Sequence, residues 1–171
     1  VRDEHGEIAY YEGSLEDITE RKEAERALQE RVKELRCLYA VQRDVQDLDL
    51  APGELAERMI DHLVPSLRFP ELAVPEIVLS GNRFAADRLS EDSSDDVPLS
   101  KHGGGAERLH APILVDHQEI GHVAVAYKEA RPFLLPQEQN LLDSVAESIG
   151  LWSERRRARE ALRRSEARYR T

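Results

Sequence analysis

An unbroken charged stretch from Asp17 to Leu48 constrains this chain more than any other feature. Neither proline nor glycine occurs between Gly13 and Pro52, so nothing in that span interrupts a helix. Asp17-Ile18-Thr19-Glu20 suits a capping box in which Asp17 accepts the amide of Glu20 and Glu20 reaches back to the amide of Asp17. A helix is therefore expected to start there. Its apolar positions are Ile18, Leu28, Val32, Leu35, Tyr39 and Val45, and from Leu28 to Tyr39 they step by fours and threes. Such spacing makes a narrow seam of the kind a partner helix fills. At roughly 1.5 Å per residue the stretch reaches about 50 Å, more than is needed to cover one small domain. The expectation is a helix that connects and transmits.

Charge is unevenly distributed along the chain. Residues 153–171 hold eight Arg and three Glu, a net of +5, which leaves −15 on residues 1–152. An acidic body argues against nucleic-acid binding, and glutamates interleaved with the terminal arginines read as a solvated helix face. No apolar run is long enough to span a bilayer, and the start lacks a signal peptide. No direct membrane contact is expected. One cysteine, Cys37, cannot form an internal disulfide, and its place among helical apolar positions favours a buried small residue in a reducing, cytoplasmic compartment. Val1 in place of an initiating Met leads us to expect a segment of a longer chain.

Taken in order, residues 1–16 read as a turn at Asp3-Glu4-His5-Gly6 and a strand through Ile8, Tyr10 and Tyr11 to Leu15. After the long helix, Pro52 suits the first turn of a second, through Leu55, Met59, Ile60 and Leu63, which Pro65 and Pro70 close. Strands are expected at Leu72–Leu79 and Arg83–Ala86 about Ser80-Gly81-Asn82, then at Leu109–Val115 and Ile120–Tyr127 about Asp116-His117-Gln118-Glu119. Residues 87–106 are polar and glycine-rich and read as a loop. From Gln137 a last helix runs through Leu141, Leu142, Val145, Ile149 and Trp152 and on toward Arg170. Its stripe as far as Trp152 should cover a sheet, while Ala158, Leu162, Ser165 and Tyr169 make a second, weaker seam.

Two resemblances follow from these residues. The strand ending at Gly13 and Leu15, with Asp17-Ile18-Thr19-Glu20-Arg21-Lys22, Glu25 and Leu28, resembles the end of a PAS domain and its exit helix. Residues 33–153 resemble a GAF domain, chiefly through Ile120-Gly121-His122-Val123-Ala124-Val125-Ala126-Tyr127, then Phe133, then Glu138 with Leu141, Leu142, Val145, Ala146 and Ile149. Leu162-Arg163-Arg164-Ser165-Glu166-Ala167-Arg168-Tyr169-Arg170 resembles the lead-in helix of another PAS domain. The organisation implied is the last hairpin of a PAS domain over 1–16, a signalling helix over 17–32, a GAF-like domain over 33–153 and an exit helix over 154–171. The fold class expected is α+β, an antiparallel sheet packed against helices with long signalling helices at either end. Larger GAF domains roof a ligand pocket with helices where this chain has a short polar segment, so no tightly held cofactor is expected.

The residues offer no recognisable chemistry of their own. Histidines 5, 62, 102, 110, 117 and 122 show no His-Glu-x-x-His or close Cys/His spacing, and no metal site is expected. Lys101-His102-Gly103-Gly104-Gly105 lacks the order of a phosphate loop, the serines lack a nucleophile elbow, and the acidic run 91–96 lacks the pattern of an EF-hand. No catalytic residue is assigned. The function expected is a signal-transduction module: a sensor and dimerisation domain forming a parallel homodimer and relaying a conformational bias between the adjacent PAS and output domains. The resemblance places it in a sensor histidine kinase of a two-component phosphorelay, with the kinase activity outside this segment. Its signalling and dimer helices carry Asp17, Thr19, Leu28, Val32, Leu35, Tyr39, Val45, Ile149, Trp152 and Leu162. Two alternatives stay open: a GAF receptor for a cyclic nucleotide, haem or tetrapyrrole, and the same modules in a diguanylate cyclase or transcription regulator.

Overall fold

The structure is a computed structural model and describes residues 17–85, 108–129 and 136–169. The expected hairpin before Leu15, the polar loop, Phe133 and Arg170 lie outside the described residues. In chain order the elements are helix α1 (Thr19–Asp44), helix α2 (Pro52–Leu63), a 3-10 turn (Val64–Ser66), strands β1 (Ala73–Leu79), β2 (Asn82–Ala85), β3 (Arg108–Val115) and β4 (Gln118–Tyr127), and helix α3 (Gln137–Tyr169). The fold is α+β. Among the described residues the strands form one antiparallel sheet in the order β2-β1-β4-β3.

The start of α1 differs from the expected capping box. Ile18 stands at the N-cap without a side-chain cap, and the Asp17 carboxylate accepts instead from the amide of Thr19 at 2.9 Å. Asp17 therefore closes a short Asx turn two residues on, one step ahead of the geometry a capping box requires. The helix ends at Asp44 rather than near Leu48, and the amide of Val45 returns to the carbonyl of Val41. α2 begins at Pro52, whose missing N–H costs nothing in a first turn.

Both hairpins close through two-residue turns with left-handed backbone. Ser80 and Gly81 have φ of 52° and 83°, and Asp116 and His117 have φ of 51° and 63°; two successive positive φ values match the right-handed twist of the strands they join. The second turn is two residues shorter than the expected Asp116–Glu119, so β4 starts at Gln118. That early start is absorbed by a bulge. Ile113 faces Gly121 and Leu114 faces Glu119, leaving Ile120 as the extra residue.

Alternation along the strands decides which residues reach the core. Ile77, Leu79, Leu109, Ala111, Ile113, Val123, Val125 and Tyr127 point to one face, where they meet Leu141, Leu142, Val145, Ile149 and Trp152 of α3 and Leu55, Met59 and Leu63 of α2. The stripe expected on α3 as far as Trp152 thus covers the sheet. Two glycines permit close approach: a Cβ on Gly121 would stand 1.9 Å from the carbonyl oxygen of Val78, and one on Gly150 would stand 2.4 Å from that of Leu114. The buried Glu138 fastens the first turn of α3, accepting from Tyr127 Oη at 2.8 Å and from the amide of Arg68 at 3.0 Å. Burial, together with that carboxylate, pushes the Tyr127 phenol well above its ordinary range.

Candidate functional site

α1 has two faces with different fates. Cys37, Val41 and Asp44 are buried, whereas Leu28 (65% exposed), Val32 (37%), Leu35 (54%) and Tyr39 (77%) lie open. At 3.6 residues per turn those two stripes stand roughly 180° apart around the helix axis. The sequence seam is therefore real as a stripe but points away from the body of its own domain. Its last expected member departs from it: Val45 is buried in the core, because the six-residue step from Tyr39 carries it roughly 120° around the helix axis, off the seam. Cys37 is buried as expected, and desolvation pushes its thiol up to about 11 against a hydrogen bond with Ser66. A thiol so held stays protonated and unreactive near neutral pH.

Contacts with α3 advance in step along the chain, from α1 into the turn that follows it. Gln42 donates to Ser148 Oγ at 3.2 Å, the Trp152 indole to the carbonyl of Asp47 at 2.9 Å, and Arg156 to the carbonyl of Leu50 at 3.0 Å. The helices consequently run parallel. Residues 19–29 of α1 are exposed throughout, and no residue of α3 from Glu154 to Arg168 is buried, so one arm projects ahead of the domain and the other behind it. Of the exit-helix residues, Ile149 and Trp152 belong to the core, and Leu162 is 61% exposed. Leu151 is also exposed and was not anticipated; it lies seven residues before Ala158 and eleven before Leu162, which a heptad reading could have found. The terminal arginines are engaged by acidic partners, with Arg159 at 3.0 Å from Asp49 and Arg156 at 3.1 Å from Glu160.

A second polar constellation lies on the sheet face opposite the helices. Glu76, buried on the central strand β1, accepts from Arg83 Nε at 2.5 Å and stands 3.5 Å from His122 Nε2 and 3.6 Å from Arg108. Burial alone would raise its pKa, yet the hydrogen bonds and charges of Arg83, His122 and Arg108 outweigh that and hold it below the usual carboxylate range. The rings of His122 and His110 lie side by side, 4.9 Å between centroids. Burial, His122 and Arg108 push His110 down against the weaker pull of Glu119, which favours the neutral ring.

Glu119 joins the two imidazoles although sequence spacing places it elsewhere. In a regular strand residues three apart face opposite sides, so Glu119 and His122 should have been separated by the sheet. The bulge at Ile120 inverts the alternation and pairs Glu119 with Leu114, on the same face as His110 and His122. Ligating atoms of His110, Glu119 and His122 then lie within 4.8 Å of one another. Among the described residues, no helix is long and apolar enough to cross a membrane. Compared with known proteins, the sequence matches no family model and no curated protein.

Proposed function

We propose that this chain is a GAF-type signalling module that dimerises in parallel through the outer seam of α1 and relays conformational change from a preceding PAS domain to a following one. The observation that carries the reading is the placement of the two arms: an apolar seam opposite the core face on an entry helix, and a parallel exit helix leaving the other end of the domain. Leu28, Val32, Leu35 and Tyr39 are exposed large apolar side chains, and pairing with a second copy would remove them from water. Asp17 and Thr19 set the start of the entry helix. The reading places the protein in the cytoplasm as part of a sensor histidine kinase, with homodimer and neighbouring domains as its partners and with the catalytic groups outside this segment.

Replacing both Val32 and Leu35 with Glu tests it. Both residues are away from the core, so the variant should retain its circular dichroism and melting temperature while multi-angle light scattering reports a monomer in place of a dimer. An unchanged dimer, or a monomeric parent at tens of micromolar, would sink the seam as the interface.

A further inference from the structure

We propose that His110, Glu119 and His122 form a binding site for one divalent transition-metal ion of the zinc class, held across the β3–β4 hairpin. Three observations converge on it. The ligating atoms already lie within 4.8 Å of one another, whereas ligands of a single tetrahedral zinc stand roughly 3.3 Å apart given bonds near 2.0–2.1 Å. His110 and Glu119 are exposed, so side-chain rotation can close that difference without disturbing packed atoms. The bulge at Ile120 supplies the second observation, because it alone brings Glu119 to the histidine face.

Glu76 is the third. Facing Nε2 of His122 at 3.5 Å, its carboxylate favours a proton on that nitrogen and leaves Nδ1 with a lone pair, the carboxylate–histidine–metal relation that orients ligands in known zinc sites. Arg108 is the unfavourable neighbour, but its charge is directed at Glu76, 3.6 Å away. Two imidazoles and one carboxylate suit zinc, nickel, copper or iron better than calcium or magnesium, which prefer all-oxygen shells. Three protein ligands leave a fourth position of a tetrahedral ion open to water or a small anion. The ligand-bearing part of β3 is also where α3 rests: Gln139 donates to the carbonyl of His110 at 3.0 Å, and Gly150 lies against the carbonyl of Leu114. Occupancy of the site therefore bears on the strand that supports the exit helix. This inference does not depend on the dimer reading.

The experiment is calorimetry of zinc chloride into tag-free, chelator-treated protein, with cobalt(II) absorption as a second readout of ligand geometry. One zinc per chain is expected, with magnesium chloride giving no heat. His110→Ala and Glu119→Gln should each weaken zinc binding by at least about tenfold, in line with what even outer ligand partners cost. His117→Asn, which keeps a residue tolerant of the left-handed turn, should leave binding unchanged. Circular dichroism of each variant confirms that its fold is retained. No zinc binding by the parent protein, or binding that His110→Ala and Glu119→Gln leave intact, would overturn the site.

Discussion

The indole N–H of Trp152 donates to the main-chain carbonyl of Asp47 at 2.9 Å, across 105 residues of sequence. The Arg156 guanidinium lies over the same ring at 5.1 Å and donates to the carbonyl of Leu50. Together they pin the turn between α1 and α2 to the middle of α3, where core gives way to solvent. Trp152→Phe keeps most of the apolar surface and removes the donor, so it should cost about 1 kcal/mol in urea unfolding. Trp152→Ala should cost about 3–5 kcal/mol. Trp152→Phe indistinguishable from the parent would mean that water replaces the indole and that the bond adds nothing.

Gly150 makes a sharper claim on sequence. It sits mid-helix, where glycine is disfavoured by about 1 kcal/mol relative to alanine, yet an added Cβ would stand 2.4 Å from a backbone oxygen that cannot move independently. Gly150→Ala should therefore destabilise by about 1–3 kcal/mol despite its gain in helix propensity. The melting temperature decides between the two: a rise would show that α3 and β3 have room to separate.

The buried Asp44 predicts a pH dependence. Burial alone would raise its pKa, but hydrogen bonds with His62 at 2.9 Å and Arg43 at 3.1 Å outweigh it and leave the carboxyl below its ordinary value. A folded-state pKa below the unfolded one contributes stability that is present above about pH 4, the unfolded value, and lost as pH falls through the folded one. Asp44→Asn should thus cost about 1.5–3 kcal/mol at neutral pH and converge on the parent in acid. Denaturant melts at pH 7 and pH 3 measure this, and a gap that persists at the lower pH would assign the cost to shape rather than charge.

Much of the architecture was legible from local pattern. Pro52 announced α2, Ser80-Gly81 announced the first hairpin, and the stripe from Leu141 to Trp152 announced the helix that covers the sheet. The start of α1 was less so, because Asp17 can bond either one of two nearby amides and only backbone geometry chooses between them. The second hairpin hid more. Asp116-His117 carries no glycine, so nothing marked its second residue as left-handed, and the four-residue turn expected there concealed a shorter turn followed by a bulge. From that one difference came the grouping of Glu119 with His110 and His122. Periodicity cannot report a residue that breaks the period. Glu76 was invisible for a related reason, since its partners Arg83, Arg108 and His122 come from three other strands.

The continuity of α3 has a mechanical consequence. No proline or glycine follows Gly150 in the helix, so the stretch from Trp152 to Tyr169 is a continuous helical arm about 25 Å long with its fulcrum on the sheet. A tilt of about 5° at that fulcrum, small enough to be absorbed by side-chain adjustments against β3, would sweep the far end through roughly 2 Å. Displacements too slight to alter the packing of the core are thereby enlarged at the point where the helix leaves it.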